Sequence, residues 1–251
     1  MGLYKRLRRK IHGITSEELL DDLRADGAEI GKKVIVFDPR KTTIDSTRPW
    51  LLRIGSYTKI TSGVVILTHD YSLSVMRRVY GDWVGEGAIT EIGENCFIGM
   101  NSVILMGSRI GDNVIVGAGS VVHGSFPGNV VIAGNPAKVI STLDEHYARR
   151  KRKTIDECKA CVRQFVKTKG RLPEPKDLSG FKFLYAPRDE ETIEAWGLSF
   201  ACNGDEPAEV EHSFYDSEPY WASFEAMLEE AMCEGDCDGS AHSSSGIGEK
   251  R

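Results

Sequence analysis

An aliphatic residue recurs at every sixth position in the middle of this chain. The positions are Ile92, Ile98, Ile104, Ile110, Val116 and Val122. A small or compact residue stands four places after each of them, at Cys96, Ser102, Ser108, Val114, Ser120 and Phe126. A period of six fits neither an amphipathic helix, which repeats every 3.6 residues, nor an alternating strand, which repeats every two. The pattern predicts a parallel β-helix, in which each six-residue unit forms a short strand and a corner.

A second series of the same kind precedes the first but has a different phase. Its aliphatic positions are multiples of six, namely Ile30, Val36, Ile54, Ile60 and Ile66. The 26 residues from Ile66 to Ile92 amount to four six-residue units plus two. A segment that is not part of the repeat must therefore lie between the two series. We expect it to form an inserted loop within residues 71–91.

The rest of the chain predicts helices on both sides of this core. Residues 3–12 and 16–25 have helical character, and Ser16 is a candidate N-cap for the second helix, which Gly27 ends. The six-residue period disappears after Ile140. We therefore predict N-terminal helices over 1–27, an all-β core over 28–140 with a loop at about 71–91, a mainly helical C-terminal extension over 141–233 and a disordered tail over 234–251.

Composition places the chain among soluble globular proteins. The 251 residues are 41% hydrophobic and 27% charged, and no apolar run approaches the ~20 residues that cross a bilayer. The basic N-terminus lacks the apolar stretch of a secretory signal, so we expect a cytoplasmic protein. Six scattered cysteines do not indicate a disulfide framework. We interpret the pairs Cys158/Cys161 and Cys233/Cys237 as ordinary thiols rather than zinc ligands.

Charge is strongly segregated along the chain. Residues 1–12 carry five Lys/Arg and no acidic residue, whereas residues 189–238 carry sixteen Asp/Glu and no Lys/Arg. Such asymmetry bears on partners rather than on fold. Peripheral membrane contact is the less favoured interpretation of the basic segment, and contact with the acidic segment of the same or another subunit is the alternative. We expect no nucleic-acid partner.

Three stretches of the repeat carry a family resemblance. Residues 92–99, 110–122 and 133–138 resemble the left-handed β-helix acyltransferases, and among them the galactoside, maltose and polysaccharide O-acetyltransferases. The resemblance covers about residues 27–140, and it is the basis for the left hand, since parallel crossovers are otherwise right-handed. It implies acetyl-CoA as acyl donor without a metal, and a homotrimer with sites between adjacent β-helices. It also implies a saccharide or lipid-linked glycan acceptor of the capsule or lipopolysaccharide type.

The resemblance places the catalytic base at His69, directly before the inserted loop. A hydroxyl is too weak an acid to attack a thioester unaided, and imidazole, with a pKa near ~6.5, suits the role of base at neutral pH. Asp38, Asp45 and Asp70 are candidates for the carboxylate that orients its ring, and the sequence does not rank them. We assign Asp38 to the catalytic set, although galactoside-type enzymes carry an acceptor-binding Asn at its position. We assign Asp45 and Asp70 to the acceptor-binding set.

The inserted loop supplies the other candidate acceptor-binding residues. These are Arg77, Tyr80 and Trp83, because aromatic rings and charged groups suit the apolar faces and hydroxyls of a sugar. A loop that only packs against the neighbouring subunit is the alternative.

The resemblance implies four residues in contact with acetyl-CoA, namely Met100, Ala118, His123 and Lys138. The main chain at the first two meets the pantetheine arm, and one N–H there is a candidate for stabilising an oxyanion. Lys138 matches a basic position that contacts the nucleotide phosphates, and His123 a polar position beside the donor. The Thr-Lys pair common in the family is replaced by His123-Gly124, which leaves the pyrophosphate to Lys138 and the basic run at 149–153.

Several other functions remain open on the same scaffold. N-acetylation of an amino sugar and acetylation of serine or an antibiotic are alternatives to O-acetylation of a saccharide. A metal-dependent carbonic anhydrase needs three His ligands, and the residues near the positions of two of them are Met100 and Leu105, so we exclude it. A non-catalytic scaffold is disfavoured because His69, the loop and Lys138 are all retained.

Overall fold

The computed structural model describes residues 13–70, 72–198 and 207–233. The chain divides along its length into two compact units, the first ending at Tyr147 and the second beginning at Ala148 in the described residues. The predicted helix over 3–12 and the predicted tail over 234–251 lie outside the described residues.

The first unit is a left-handed parallel β-helix with three faces, as predicted. Its chain contributes one short strand to each face in turn, and strands of successive coils pair in parallel. Face A contains β1 (Glu29–Ile30), β4 (Leu52–Ile54), β7 (Thr90–Ile92), β10 (Arg109–Ile110) and β13 (Ser125–Phe126). Face B contains β2 (Ile35–Val36), β5 (Lys59–Ile60), β8 (Phe97–Ile98), β11 (Ile115–Val116), β14 (Val130–Gly134) and β15 (Ala137–Thr142). Face C contains β3 (Thr43–Ile44), β6 (Val65–Ile66), β9 (Val103–Ile104) and β12 (Val121–Val122).

The six-residue series forms the core of the β-helix. Ile92 pairs with Ile110 and Ile98 with Val116, eighteen residues apart in sequence and adjacent in the stack. All six aliphatic side chains from Ile92 to Val122 are buried. Because each coil contacts only its neighbours, the fold is a solenoid whose stability comes from stacking of like residues.

The compact positions of the repeat are buried corners whose hydroxyls are satisfied by the backbone. Ser102 donates to the Gly117 carbonyl oxygen at 3.0 Å, and Ser108 donates to the Val122 carbonyl oxygen at 3.0 Å. Both side chains are fully buried. A buried hydroxyl without a partner would cost free energy, so these contacts explain why serine is accepted inside the coil.

Two short insertions are hidden in the first coil. The inward residue of β3 is Ile44, which pairs with Ile66, and not a residue on the six-residue period. The chain thus takes eight residues from Val36 to Ile44 and ten from Ile44 to Ile54. Each of these connections is longer than one six-residue unit, and the extra residues of the two together amount to one full unit. The phase of the series is therefore the same before and after them. The extra residues of the second connection lie directly after β3.

The long insertion follows β6 and contains helix α2 (Leu73–Tyr80). Its two ends are held together, because His69 forms an isolated antiparallel bridge with Gly87 and the Ala88 N–H donates to the Thr68 carbonyl oxygen at 3.1 Å. No residue of α2 is buried within the chain. The insertion therefore projects from the β-helix next to His69.

Helix α1 (Ser16–Ala25) precedes the first coil, and Leu20 and Leu23 are buried in the β-helix core. Its N-cap is Thr15, which accepts from the Glu18 N–H at 3.2 Å, whereas the Ser16 hydroxyl accepts from the Val36 N–H at 2.8 Å. The predicted cap at Ser16 is therefore wrong by one residue. The capping box formed by Thr15 and Glu18 explains the shift, because it satisfies two amides at once.

Helix α3 (Leu143–Lys169) follows β15 and continues into the second unit. The elements after it are a 3₁₀ segment (Pro175–Leu184), α4 (Glu190–Trp196), α5 (Pro207–Tyr215) and α6 (Phe224–Cys233). The core of this unit is made by Cys158, Val162, Leu178, Tyr185, Trp221, Phe224, Met227 and Ala231. The C-terminal extension is therefore mainly helical, as predicted. Burial raises the pKa of the Cys158 thiol to about 11, so it is protonated at neutral pH.

Candidate active site

The pairing of β3 with β6 on face C brings Asp45 and His69 together. Asp45 follows β3 directly, and His69 follows β6 by three residues. Because β3 and β6 are neighbouring parallel strands, the residues after them lie side by side at one edge of face C. Asp45 and His69 are 7% and 8% exposed, so their contact is sheltered from solvent.

The Asp45 carboxylate accepts five hydrogen bonds. Its Oδ2 accepts from His69 Nδ1, from the Thr68 N–H at 3.1 Å and from the Thr68 hydroxyl at 2.5 Å. Its Oδ1 accepts from the Thr47 N–H at 2.9 Å and from the Thr47 hydroxyl at 2.8 Å. Burial alone would raise the pKa of Asp45, but the hydrogen bonds from Thr68, Thr47 and His69 outweigh it and hold the pKa well below its usual range.

The ionised carboxylate determines the tautomer of His69. A carboxylate without a proton only accepts hydrogen bonds, so the hydrogen between Asp45 and His69 belongs to Nδ1. We assign the tautomer of His69 from its contact with the Asp45 carboxylate, since hydrogen positions are inferred from hydrogen-bond partners. In the neutral ring Nε2 then carries a lone pair, which is what a general base requires.

The other two candidate carboxylates, Asp38 and Asp70, make different contacts. Asp38, which we placed in the catalytic set, follows β2 and pairs with Lys41 Nζ at 3.4 Å and with the Ser62 hydroxyl at 3.2 Å. Asp70 accepts from the Ser72 N–H at 2.7 Å. Neither contact involves the imidazole, and the structure does not bring Asp38 to His69.

The contacts of Asp45 differ from those expected of an acceptor-binding residue. We assigned it to acceptor binding, yet both of its oxygens are occupied by protein donors and the side chain is buried. The physical reason is that Thr47, two residues on, and Thr68, in the neighbouring coil, both donate to the carboxylate. Asp45 is therefore positioned to orient His69.

Three of the four residues expected at acetyl-CoA lie along one edge of face B. Met100 and Ala118 follow β8 and β11 in successive coils, and the Gly119 N–H donates to the Met100 carbonyl oxygen at 2.8 Å. Lys138 lies on β15 opposite Ala133, and β14 is the neighbour of β11. Met100 is 52% exposed and the other two are exposed as well.

The fourth residue, His123, follows β12 at the edge of face C. It is exposed and lies two coils beyond the coil of His69. Face C itself separates the edge with His69 from the edge with Met100 and Ala118, because the chain passes from face B to face C before reaching His69. A single chain thus places Met100 and Ala118 on the opposite side of face C from His69, whereas His123 lies on the same side as His69.

The inserted loop presents its aromatic and charged side chains to solvent. Tyr80 is 78% and Trp83 is 69% exposed, and the Arg77 guanidinium lies over the Trp83 ring at 4.8 Å from its centroid. Helix α2 ends at Gly81, whose φ of 72° is a left-handed conformation that suits glycine. Arg48 Nη1 donates to the Glu86 carbonyl oxygen at 3.2 Å and ties the returning loop to the connection after β3.

Thr47, Thr68 and Arg48 were not singled out from the sequence. The spacing of Asp45 and Thr47 is the signal that was available, because an Asp side chain commonly accepts from the backbone two residues on. No comparable signal marks Thr68, which contacts Asp45 only because neighbouring coils stack.

Neither a metal centre nor a membrane span is found in the part of the chain that the structure describes. Over residues 13–70, 72–198 and 207–233, no group of three or more His, Cys, Asp or Glu is placed to hold a metal ion. In the same residues, no helix is long and apolar enough to cross a membrane.

Comparison with known proteins identifies the family. The model of the bacterial transferase hexapeptide (six repeats) matches residues 89–124. Protein CapG of Staphylococcus aureus is 42% identical over 126 residues, which are 50% of this chain and 72% of CapG. The chain belongs to the hexapeptide-repeat transferases. It is therefore an acyltransferase, because curated relatives of this family are named acetyltransferases.

The chain is also similar to several other acetyltransferases. The putative colanic acid biosynthesis acetyltransferase WcaF of Escherichia coli is 32% identical over 133 residues, covering 47% of this chain and 71% of WcaF. The putative lipopolysaccharide biosynthesis O-acetyl transferase WbbJ of the same organism is 51% identical over 55 residues, covering 22% of this chain and 28% of WbbJ. The solved maltose O-acetyltransferase of Clostridium difficile is 26% identical, with a TM-score of 0.41, and covers 55% of this chain and 83% of that one.

Proposed function

We propose that this protein is an acetyl-CoA-dependent O-acetyltransferase that acts on a hydroxyl of a saccharide, with His69 as general base. The observation that carries the proposal is the buried contact between Asp45 and His69 Nδ1. The names of the relatives WcaF, a putative colanic acid biosynthesis acetyltransferase, and WbbJ, a putative lipopolysaccharide biosynthesis O-acetyl transferase, support an acceptor of the capsule or lipopolysaccharide type.

The two residues divide the proton chemistry between them. His69 Nε2 takes the proton of the attacking hydroxyl, and the ring becomes an imidazolium. Asp45, held ionised by its five donors, stabilises that positive charge through Nδ1–H. The same imidazolium then returns the proton to the leaving group. Acetyl-CoA supplies the acetyl group as an activated thioester.

The residues along the edge of face B fit a long, partly charged donor. The corners at Met100 and Ala118 are exposed and lie one above the other, so they offer a continuous stretch of main chain. A Cβ built on the neighbouring Gly119 would meet no atom within 4 Å, so this corner is open to an extended ligand. Lys138 supplies a cation near one end of the edge, which suits phosphate groups. We propose Met100, Ala118, His123 and Lys138 as the residues that bind acetyl-CoA.

The separation of Met100 and Ala118 from His69 supports a site shared between chains. We propose a homotrimer in which His69 of one β-helix faces the donor-binding edge of the next. We further propose that residues 28–140 form the catalytic domain, that the loop at 71–91 belongs to it and that residues 141–233 are an added extension.

The acceptor is proposed to bind on the inserted loop. Trp83 and Tyr80 offer exposed aromatic faces, Arg77 offers a cation over the Trp83 ring, and Asp70 offers a carboxylate directly after His69 in the chain. Sugars combine apolar ring faces with hydroxyls, so such a mixture suits them. N-acetylation of an amino acceptor is the second candidate, since part of this chain is 50% identical over 54 residues to a tetrahydropyridine-dicarboxylate N-acetyltransferase of Clostridium perfringens.

Thiol release from acetyl-CoA tests the proposal directly. The acceptors are methyl glycosides of glucose, galactose, mannose and fucose, with glucosamine as the amino acceptor and serine as a hydroxyl acceptor that is not a sugar. We expect thiol release with at least one glycoside, and a fall of about 10³-fold in His69→Ala, because a general base contributes on that scale. His212→Ala, which removes an exposed histidine of the second unit, is the matched control and should keep full activity. Turnover that survives His69→Ala would refute the base, and release with amines alone would favour N-acetylation.

A further inference from the structure

Thr47 touches both members of the pair described above. Its Oγ1 lies 2.8 Å from Asp45 Oδ1 and 3.2 Å from His69 Nδ1. We propose that Thr47 is a positioning residue, whose hydroxyl closes a ring of hydrogen bonds with Asp45 and His69 and thereby fixes the orientation of the imidazole. This inference rests on the proposed role of His69 as base.

The direction of each hydrogen bond follows from the groups involved. The Thr47 hydroxyl has one hydrogen, and the ionised Asp45 is both the nearer and the stronger acceptor, so the O–H donates to Oδ1. A lone pair of Thr47 Oγ1 then faces His69 Nδ1, which carries a hydrogen. The Nδ1–H is therefore shared between Asp45 Oδ2 and Thr47 Oγ1, and the three residues form a closed cycle.

The cycle restrains a motion that one hydrogen bond leaves free. An imidazole held by a single N–H···O contact can pivot about that contact, whereas two acceptors on either side of the same N–H oppose the pivot. Thr47 is itself held in place, because its backbone N–H donates to Asp45 Oδ1 at 2.9 Å. Small errors in the placement of a catalytic group lower the rate strongly. An imidazole with a fixed orientation should therefore give a higher kcat.

Thr68 provides an instructive contrast. Its hydroxyl also donates to Asp45, but the side chain is fully buried and this contact reaches the carboxylate rather than the imidazole. Its loss would leave a buried acceptor short of a donor and would destabilise the fold. Thr47 is exposed, so removing its hydroxyl tests orientation with little cost to folding.

Four substitutions separate a role of the Thr47 hydroxyl in orienting the imidazole from a role in folding. Thr47→Val keeps the size of the side chain and removes the hydroxyl, and Thr47→Ser keeps the hydroxyl and removes the methyl group. Thr58→Val is the matched control, because the Thr58 hydroxyl is buried and donates to the Gly93 carbonyl oxygen at 2.8 Å, at a corner away from His69. Thr47→Ala is a second hydroxyl-free variant, for use if valine disturbs the local turn.

The experiment measures kcat and both KM values separately, with acetyl-CoA and the fastest of the four methyl glycosides as substrates. We expect Thr47→Val to lower kcat by about tenfold, with both KM values within about twofold of wild type, and Thr47→Ser to keep kcat within about twofold. Thr58→Val should lower the melting temperature and keep kcat. Full kcat in both hydroxyl-free variants, or a serine variant as slow as valine, would overturn the role of Thr47. Full activity in His69→Ala would instead overturn the proposed base.

Discussion

At the scale of single residues, the decisive feature is how the protein stabilises a buried negative charge. Asp45 is 7% exposed, and an isolated carboxylate in such a place would be costly. Donors from Thr47, Thr68 and His69 compensate for the lost water and favour the ionised form. The same contacts that support His69 thus also contribute to the stability of the fold.

This arrangement predicts a pH dependence of stability. The pKa of Asp45 is lower in the folded protein than in the unfolded chain, so its contribution is fully present above the unfolded value and is lost as pH falls towards the folded one. We expect the free energy of unfolding of wild type to exceed that of Asp45→Asn at neutral pH, and the difference to shrink as pH falls below about 4. Urea unfolding at a series of pH values measures it. Asp156→Asn, on the exposed surface of α3, is the control and should follow wild type throughout.

The residue scale also shows where sequence-based prediction ends. The family resemblance predicted His69 as the base, and the change of phase between Ile66 and Ile92 located the insertion directly after it. The choice of Asp45 over Asp38 was not predictable, because it depends on Ile44, which is not on the six-residue period, being the inward residue of β3 and pairing with Ile66 of β6. The period positions between Val36 and Ile54 are the polar residues Thr42 and Arg48, so the series shows an irregular coil there but does not locate its strand.

At the scale of elements, each two-residue strand has one inward and one outward position. In β10, Ile110 is 2% exposed and stacks between Ile92 and Phe126, whereas Arg109 points to solvent. The period of six, the parallel pairing and the inward stack were all predictable, because each needs only the spacing of aliphatic residues. The short strands are therefore stabilised mainly by stacking of inward side chains.

Paired substitutions in β10 test this view of the strand. Ile110→Ala should lower the free energy of unfolding by about 3 kcal/mol, because it leaves a cavity between two stacked neighbours. Arg109→Ala removes an exposed side chain of the same strand and should change it by less than about 0.5 kcal/mol. Urea unfolding followed by circular dichroism measures both. Equal effects of the two substitutions would contradict an inward stack at this coil.

At the scale of the whole molecule, the two edges of face C raise the question of how many chains make one site. His69 lies after face C, and Met100 and Ala118 lie before it. In a cyclic trimer every chain presents both edges, so the base of one chain can face the donor-binding edge of the next. The sequence resemblance implied such sharing, and the topology supports it through the position of these residues on separate edges.

Two inactive variants should restore activity when they are combined. His69→Ala removes the base, and Ala118→Trp places a large side chain at the exposed corner expected to bind acetyl-CoA. In trimers formed at random from equal amounts of the two chains, about a quarter of the interfaces contain a normal His69 and a normal Ala118. We therefore expect the coexpressed mixture to show about a quarter of wild-type thiol release, while each variant alone is inactive. A mixture as inactive as its parts would mean that each site is complete within one chain, because only a site built from two chains can combine the two intact edges.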